Sequence, residues 1–91
     1  RLFVVRRVHG DSMSPTLRPG QLVVGRRRCR DLNTGDIVIF LRNGREIIKR
    51  VQEIKESKMY VVGDNASRST DSRHYGYIDV KAVVAKLIWP R

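Results

Sequence analysis

The dipeptide Asn43-Gly44 constrains the fold of this chain more than any other local feature. It separates two apolar runs, IVIFLR at residues 37–42 and REIIKRV at residues 45–51. Asn and Gly both tolerate positive φ, which a two-residue type I′ turn requires at its two central positions. The sequence therefore predicts an antiparallel hairpin with its turn at Asn43-Gly44.

The two-residue turn also determines which side chains of the hairpin share a face. Side chains alternate between the two faces of a strand, and directly opposed residues point to the same side. The pairs expected on one face are Arg42 with Arg45, Phe40 with Ile47, and Val38 with Lys49. This register directs Lys49 among Val38, Phe40, Ile47 and Val51. Lysine is rarely buried without a reason. The opposite face carries Ile37, Ile39, Leu41 and Ile48, so we expect the hairpin to be covered on both faces.

Short apolar runs rich in Val and Ile recur along the chain between turn signals such as Pro19-Gly20 and Gly35-Asp36. The predicted strands lie within residues 3–8, 21–24, 37–41, 46–51, 59–62 and 82–89. This spacing favours a small, mostly antiparallel all-β fold. Trp89 is expected to anchor the last strand in the core, and residues 62–77 are expected to form one long polar loop. A chain of 91 residues has room for one domain, which we expect to cover residues 1–91.

The composition excludes several classes of protein. The net charge of +10 leaves nucleic acid, anionic membranes and acidic partners as candidates. Cys29 is the only cysteine, so neither an internal disulfide framework nor a multi-cysteine metal site is possible. The longest apolar run, residues 37–41, is far shorter than the roughly 20 residues of a membrane-spanning helix. His9, His74 and scattered acids form no metal-binding pattern, so no metal or cofactor is expected.

Three polar segments together suggest a catalytic site: residues 10–17, 47–51 and 63–73. Prolines and glycines hold the first segment in turns, which can present a serine hydroxyl in a fixed direction. A serine needs a base to become a nucleophile, and nothing in the sequence marks either histidine as that base. A lysine can serve if apolar surroundings lower its pKa from about 10.4 by about three units. The placement deduced for Lys49 fits this requirement.

The motifs SMSPTL, GDIV, KRV and GDNASRSTDSR, the last followed by Tyr75-Gly76, occur in this order along the chain. They resemble the conserved boxes of type I signal peptidases, a family with a Ser/Lys dyad and a β fold that it shares with self-cleaving repressors. The resemblance implies that Ser12 is the nucleophile, that its backbone N–H contributes to the oxyanion hole, and that Lys49 is the general base. It also implies that Ser69 orients the base and that Asp71 and Arg73 form an ion pair that braces the site. Met13 and Pro15 are implied to contact the substrate.

The chain departs from the larger signal peptidases at two places. Gly10 stands where one large bacterial subgroup has a second serine as an oxyanion donor, and the usual GxPGD extension after the KRV motif is missing. The compact layout looks more like two groups of short relatives. These are the mitochondrial inner membrane peptidases and the proteases that remove the leader from nickel-type superoxide dismutase. Self-cleaving repressors of the DNA-damage response lack the SMxPTL and GDNxxxSxDSR patterns.

The resemblance implies a serine endopeptidase that removes an N-terminal leader or signal peptide, cutting after small residues. A soluble maturation protease for nickel-type superoxide dismutase is the alternative. The expected partner is a leader-bearing protein or peptide, and no cofactor is implied. The enzyme is expected to be membrane-associated if an anchor precedes Arg1 and cytoplasmic otherwise. Residues 1–91 contain no apolar run of membrane-spanning length.

The densest cluster of charge is the run from Arg26 to Arg30, which includes Cys29. It is either a solvated face or a contact for anionic lipid headgroups or for an acidic region of the substrate. A basic nucleic-acid-binding β module without catalysis is the second class of function that we consider. Its stacking residues would be Tyr60, Tyr75, Tyr77 or Trp89. This class is disfavoured because aromatic residues make up only 7% of the chain and do not alternate with the arginines. Cys29 has no supporting histidine or acid and is expected to be a bystander.

We predict salt-dependent binding to anionic vesicles through Arg26, Arg27, Arg28 and Arg30. Each charge close to a membrane surface contributes on the order of 1 kcal/mol and is screened within a Debye length, so binding should fall steeply as salt rises. Replacing all four arginines with Gln should abolish binding. Sedimentation with anionic vesicles measures the effect, and neutral vesicles are the control. Binding that is absent at low salt, or unchanged by the substitutions, would leave the run as a solvated face.

Overall fold

The computed structural model describes residues 1–27 and 31–90. Within them, seven strands form one sheet in which every described pairing is antiparallel. In chain order the strands are β1 (Phe3–Arg7), β2 (Leu22–Arg26), β3 (Ile37–Arg42), β4 (Arg45–Lys55), β5 (Lys58–Val62), β6 (Ile78–Asp79) and β7 (Val83–Trp89). Their order across the sheet is β1-β2-β7-β3-β4-β5-β6. The all-β, antiparallel fold expected from the sequence is therefore confirmed.

The hairpin of β3 and β4 has the predicted register. Its cross-strand pairs include Arg42 with Arg45, Phe40 with Ile47, and Val38 with Lys49. The turn residues Asn43 and Gly44 have φ angles of 53° and 76°, both in the region that a type I′ turn requires. The two turn residues thus determine the register of the hairpin and with it the face on which each side chain lies. A shift of this register by one residue would exchange the two faces.

β4 extends beyond the predicted apolar run and leaves part of its edge open. Along residues 45–50 it pairs with β3, whereas its pairing with β5 starts only at Arg50. β1 is the first strand of the sheet and pairs with β2 alone. In the part of the chain that the structure describes, β1 and the first half of β4 therefore present strand edges that no other strand covers. Such edges can accept an additional strand.

Buried apolar side chains form three clusters on this sheet. One surrounds Phe40 on β3, β4 and β5, and another surrounds Ile39 between β1, β3 and β7. The third, which we call the β2 cluster, consists of Val8, Met13, Leu17 and Val23. Because Met13 and Leu17 come from the segment between β1 and β2, the β2 cluster fastens that segment to the sheet.

Two side chains expected in the core are exposed instead. Leu41 is 49% exposed and Trp89 is 57% exposed, whereas Ile39 is completely buried as expected. β7 pairs with β3 only at Val38–Phe40, so Leu41 lies beyond the covered part of its strand. Trp89 is the last residue of β7, past the residues that pack into the clusters. The prediction of a hairpin covered along both faces is wrong at its turn end.

The long loop predicted after β5 contains two short helical turns. A 3-10 turn covers Ala66–Arg68 and a one-turn helix, α1, covers Ser72–Tyr75. Asp71 caps α1: its carboxylate accepts a hydrogen bond from the Arg73 N–H, and its own N–H donates to His74 Nδ1. The prediction of an unbroken loop is wrong here because this reciprocal capping satisfies the free N–H groups of a helical turn. None of the described helices has the length and apolar character needed to cross a bilayer.

We predict that Gly44→Ala lowers the free energy of unfolding by about 1 kcal/mol, because a Cβ atom is disfavoured at a φ of 76°. Urea denaturation measures the change. The matched control is Asn43→Gly, which keeps a residue able to adopt positive φ in the same turn and should change the free energy much less. An unchanged midpoint for Gly44→Ala would contradict the importance of this turn.

Candidate active site

Ser12 lies in the turn-rich segment between β1 and β2. The Ser14 N–H donates to the Asp11 carbonyl over 3.0 Å, and the Leu17 N–H donates to the Met13 carbonyl over 2.9 Å. Met13 and Leu17 are each only 1% exposed and belong to the β2 cluster. Ser12 itself is half-buried. The candidate nucleophile, Ser12, is therefore held in place because the residue after it, Met13, is anchored in the core.

The loop after β5 lies directly against Ser12. The Asn65 backbone N–H donates to the Ser12 carbonyl over 2.8 Å, and the Asn65 side-chain amide donates to the Asp11 carbonyl over 3.1 Å. A Cβ atom on Gly63 would lie 2.6 Å from the Ser12 carbonyl oxygen and would also overlap the Ser69 hydroxyl. A side chain at residue 63 would thus displace two predicted site residues. This close approach explains why glycine precedes Asp64 in the GDN motif.

Lys49 projects from β4 and is only 5% exposed. Its strand position opposite Val38 gives it the face predicted from the hairpin register. Burial lowers the pKa of Lys49; the carboxylate of Asp71 acts in the opposite direction, and the guanidinium of Arg73 reinforces the lowering. The predicted burial is confirmed. Its consequence is a shift towards the neutral amine, the form in which a lysine can accept a proton.

Ser12 and Lys49 line one cavity of about 390 Å³. The rest of its wall comes from the open edges of β1 and β4 and from the nearby core: Arg6, Arg7, Val8, His9, Met13, Ile39, Glu46, Ile47 and Ile48. This volume is in the range of sites that hold small ligands or short peptide segments. The fold thus brings the two members of the predicted dyad, which are far apart in sequence, to a common space.

A hydrogen-bonded network surrounds Asp71, whose carboxylate acts electrostatically on Lys49. Asp71 is fully buried, and Ser69 Oγ donates to its Oδ2 over 2.5 Å. Arg73 donates from Nε to Oδ1 over 2.9 Å and from Nη2 to Oδ2 over 2.6 Å, while the Gly63 N–H donates to Oδ2 over 2.8 Å. The ion pair implied by the sequence resemblance is therefore formed. The Ser69 hydroxyl donates to Asp71, and its role in orienting Lys49 stays a prediction.

Asp71 keeps its negative charge inside the protein because its partners outweigh the effect of burial. Burial alone would raise the pKa of Asp71, but hydrogen bonds from Arg73, Ser69 and the Gly63 N–H hold it well below its usual range. The carboxylate is the part of this site that opposes the lowered pKa of Lys49. Asp71 and Arg73 therefore both affect the pKa of Lys49.

A second ion pair, Arg50 with Asp64, was missed by the sequence reasoning. Arg50 Nε and Nη2 each donate to an Asp64 oxygen over 2.8 Å, and Arg50 Nη1 donates to the Gly35 carbonyl over 2.7 Å. The hydrogen bonds from Arg50 lower the pKa of Asp64 against the effect of burial, with help from Thr16. The pair connects β4, the loop after β5 and the Ser12 segment. Both residues fall inside the recognised motifs, but motif order alone does not show which charges meet.

The remaining predicted residues are distributed around the site. Met13 contributes to the cavity wall, whereas Pro15 is exposed and lies outside that wall. Arg26 ends β2 and Arg27 directly follows it. The other members of the basic run, Arg28, Cys29 and Arg30, lie outside the described residues.

Comparison with known proteins agrees with this geometry. A family model described as Peptidase S24-like matches residues 2–87. The matched range includes the Ser12 segment, β4 and the loop after β5, and therefore all the elements that form the cavity and the Asp71 network. A comparison with curated proteins found no match.

We predict that Lys49 makes stability rise with pH, in the window between its lowered pKa in the fold and about 10.4 in the unfolded chain. In that window the unfolded chain binds a proton that the folded chain does not, so raising the pH favours folding. Lys49→Met should remove this dependence and stabilise the fold near neutral pH, because it keeps an apolar stem without the buried amine. Urea unfolding between about pH 7 and pH 10 measures both effects.

The matched control is Lys55→Met, a change at an exposed lysine of the same strand. It should leave the pH dependence of unfolding as in the unmodified chain. Nuclear magnetic resonance titration of the Lys49 side chain is the direct measurement. A pKa above about 10 in the folded protein would contradict a neutral base in the resting site.

Proposed function

The chain belongs to the Peptidase S24-like family, and we propose that it is a serine endopeptidase that removes a leader or signal peptide from a protein substrate. The family covers the type I signal peptidases that the sequence motifs resemble, so that resemblance is confirmed at the level of the family. A serine-peptidase type of fold follows from the membership. The proposal assigns Ser12 and Lys49 as the catalytic residues and a leader-bearing protein as the substrate.

One observation carries the proposal: Ser12 and Lys49 line the same cavity, and Lys49 is a buried amine. A nucleophilic serine requires a base that is neutral before the reaction and able to hold a proton during it. Burial favours the neutral form of Lys49 by lowering its pKa. His9 also lines the cavity but is an exposed residue, and burial is the property that adapts Lys49 to the task.

In the first half of the proposed reaction, Lys49 accepts the hydroxyl proton of Ser12 while Ser12 Oγ bonds to the carbonyl carbon of the scissile peptide. The carbonyl oxygen becomes an oxyanion, and the Ser12 backbone N–H donates a hydrogen bond to it. The Lys49 ammonium then gives its proton to the leaving nitrogen. The C–N bond breaks, the mature protein leaves with a free amino group, and the leader remains as an ester on Ser12.

In the second half, Lys49 is neutral again and takes a proton from a water molecule. The water oxygen bonds to the acyl carbon, and the tetrahedral intermediate collapses as Ser12 Oγ leaves. The proton on Lys49 returns to Ser12 Oγ. The leader is released as a carboxylic acid and the site is restored.

The substrate is proposed to bind as an additional strand. The open edges of β1 and the first half of β4 border the cavity, and an extended peptide can form backbone hydrogen bonds with such edges. From Arg50 onward β5 covers the edge of β4, so the cavity receives one side of the scissile bond. That side must be the leader, because the acyl part has to stay bound until water releases it. Small residues before the cut follow from the family resemblance.

Asp71 and Arg73 are proposed to brace this arrangement. Their ion pair fixes the N–H of Gly63 and the hydroxyl of Ser69 around one buried carboxylate. Gly63 in turn lies against the Ser12 carbonyl. The pair therefore acts on the nucleophile through the loop after β5, without touching the scissile bond.

We predict that Ser12→Ala and Lys49→Met each abolish cleavage of a leader peptide with small residues before the cut. The two residues act as one unit, so the loss of either costs nearly as much as the loss of both. Mass spectrometry of the products measures cleavage, after circular dichroism has shown that each variant is folded. A folded variant that still cleaves the peptide would rule out the dyad.

Ser69→Ala should reduce turnover by a smaller factor, because it removes the hydroxyl proposed to orient Lys49, together with one of the hydrogen bonds that hold Asp71. The matched control is Ser67→Ala in the same loop, whose exposed hydroxyl donates only to Asn65, over 3.3 Å, among the contacts described. Turnover equal to that of the unmodified enzyme in both variants would show that the role assigned to Ser69 is wrong.

A further inference from the structure

An ion pair between β1 and β4 lies in the wall of the cavity. Arg6 on β1 donates from Nε to Glu46 Oε1 over 2.6 Å and from Nη2 to Glu46 Oε2 over 3.1 Å. β1 and β4 are not neighbours in the sheet, so this pair links the two open edges through side chains. Both side chains line the cavity and remain about one-third exposed, at 37% and 33%. A peptide bound between these edges would therefore meet the pair.

The position of the pair along β4 indicates which part of a substrate it meets. Glu46 precedes Lys49 by three residues on the same strand, which corresponds to about 10 Å at a rise of about 3.3 Å per residue. An extended peptide beside β4 advances by the same rise. Glu46 and Lys49 lie on opposite faces of β4 because they are an odd number of residues apart. A peptide whose first residue before the cut lies beside Lys49 would thus present its fourth residue to Arg6 and Glu46.

Two arginines, Arg6 and Arg27, act on the one carboxylate at this end of the cavity, that of Glu46. Arg6 and Glu46 line the cavity, whereas the side chain of Arg7 lies on the other face of β1 and donates to the Gly20 carbonyl. Both oxygens of Glu46 accept hydrogen bonds from Arg6, which lower the pKa of Glu46, and Arg27 acts in the same direction. Arg6 also donates from Nη1 to the Val5 carbonyl over 3.0 Å. These three bonds leave two of the five N–H groups of an arginine for a ligand.

We propose that Arg6 is a specificity-determining residue that selects an acidic side chain at the fourth residue before the scissile bond. The inference rests on the proposed function, since it concerns the substrate of the same cavity. An acidic side chain there can accept hydrogen bonds from the remaining N–H groups of Arg6. A basic side chain meets the Arg6 guanidinium and one acid, Glu46, whose charge Arg6 already balances.

The test uses peptides of one leader-like sequence with small residues before the cut. At the fourth residue before the cut, the series carries Glu, Gln or Lys. Affinity is measured by fluorescence anisotropy with the Ser12→Ala variant, and kcat/KM is measured with the unmodified enzyme. We expect the Glu peptide to be favoured over the Lys peptide by about fivefold at low salt, as for a partly exposed ion pair. The ratio should approach 1 near about 1 M salt, where the Debye length is about 3 Å.

Two substitutions should move this ratio in opposite directions. Arg6→Gln removes the cation and frees the carboxylate of Glu46, so the preference for Glu should be lost. Glu46→Gln leaves the charge of Arg6 unbalanced, so the preference should increase. A role confined to holding β1 and β4 together would instead change both variants in the same sense. The matched control is Arg45→Gln, an exposed position of β4 outside the cavity wall, which should leave the ratio unchanged.

A ratio near 1 in the unmodified protein, or equal changes in Arg6→Gln and Arg45→Gln, would overturn the assignment of Arg6. Absence of binding for the whole series would do the same. The two kinds of measurement separate this inference from the proposed function. Peptides that bind with the expected preference but are not cleaved would contradict the peptidase and support the subsite. Peptides that are cleaved without a preference would contradict the subsite alone.

Discussion

The buried carboxylate of Asp71 is the group on which the site depends most. It accepts hydrogen bonds from Arg73, Ser69 and the N–H of Gly63, and it also caps α1. A buried charge without partners would cost several kcal/mol, so these donors and the carboxylate require one another. Because Gly63 packs against the Ser12 carbonyl, the position of Ser12 depends on a charge that it does not contact.

The charged form of Lys49 is destabilised by the fold, whereas that of Asp71 is stabilised. Its ammonium is disfavoured by burial, yet the hairpin cannot move it to solvent without moving its neighbours as well. A slip of one residue in β4 would move Lys49 to the face of the buried Ile39 and would also turn Ile47 away from Phe40, its partner across the hairpin. The apolar pairs of the hairpin thus hold in place a group that by itself favours unfolding below its normal pKa. This is the physical origin of the lowered pKa of Lys49.

Sequence reasoning succeeded where the decisive interaction is local. Asn43 and Gly44 adopt positive φ as expected, and from that turn the pairing of Val38 with Lys49 follows by counting. It failed where the outcome depends on how far another strand extends. Leu41 is as apolar as Ile39, but β7 pairs with the strand at Ile39 and does not extend to Leu41, so only Ile39 is buried. Arg50 and Asp64 were both visible within motifs, yet their pairing depends on the loop after β5 folding back onto β4.

The sequence by itself determined the β class, the hairpin and the face on which Lys49 lies, because turn chemistry and the two-residue period of a strand act over a few neighbouring residues. The tertiary structure alone decided that Ser12 and Lys49 share a cavity, that Asp71 gathers its donors, and that Arg6 reaches Glu46. These contacts join segments far apart in the chain. They form only when the whole sheet brings the open edge of β1 opposite that of β4, which no local pattern of residues encodes.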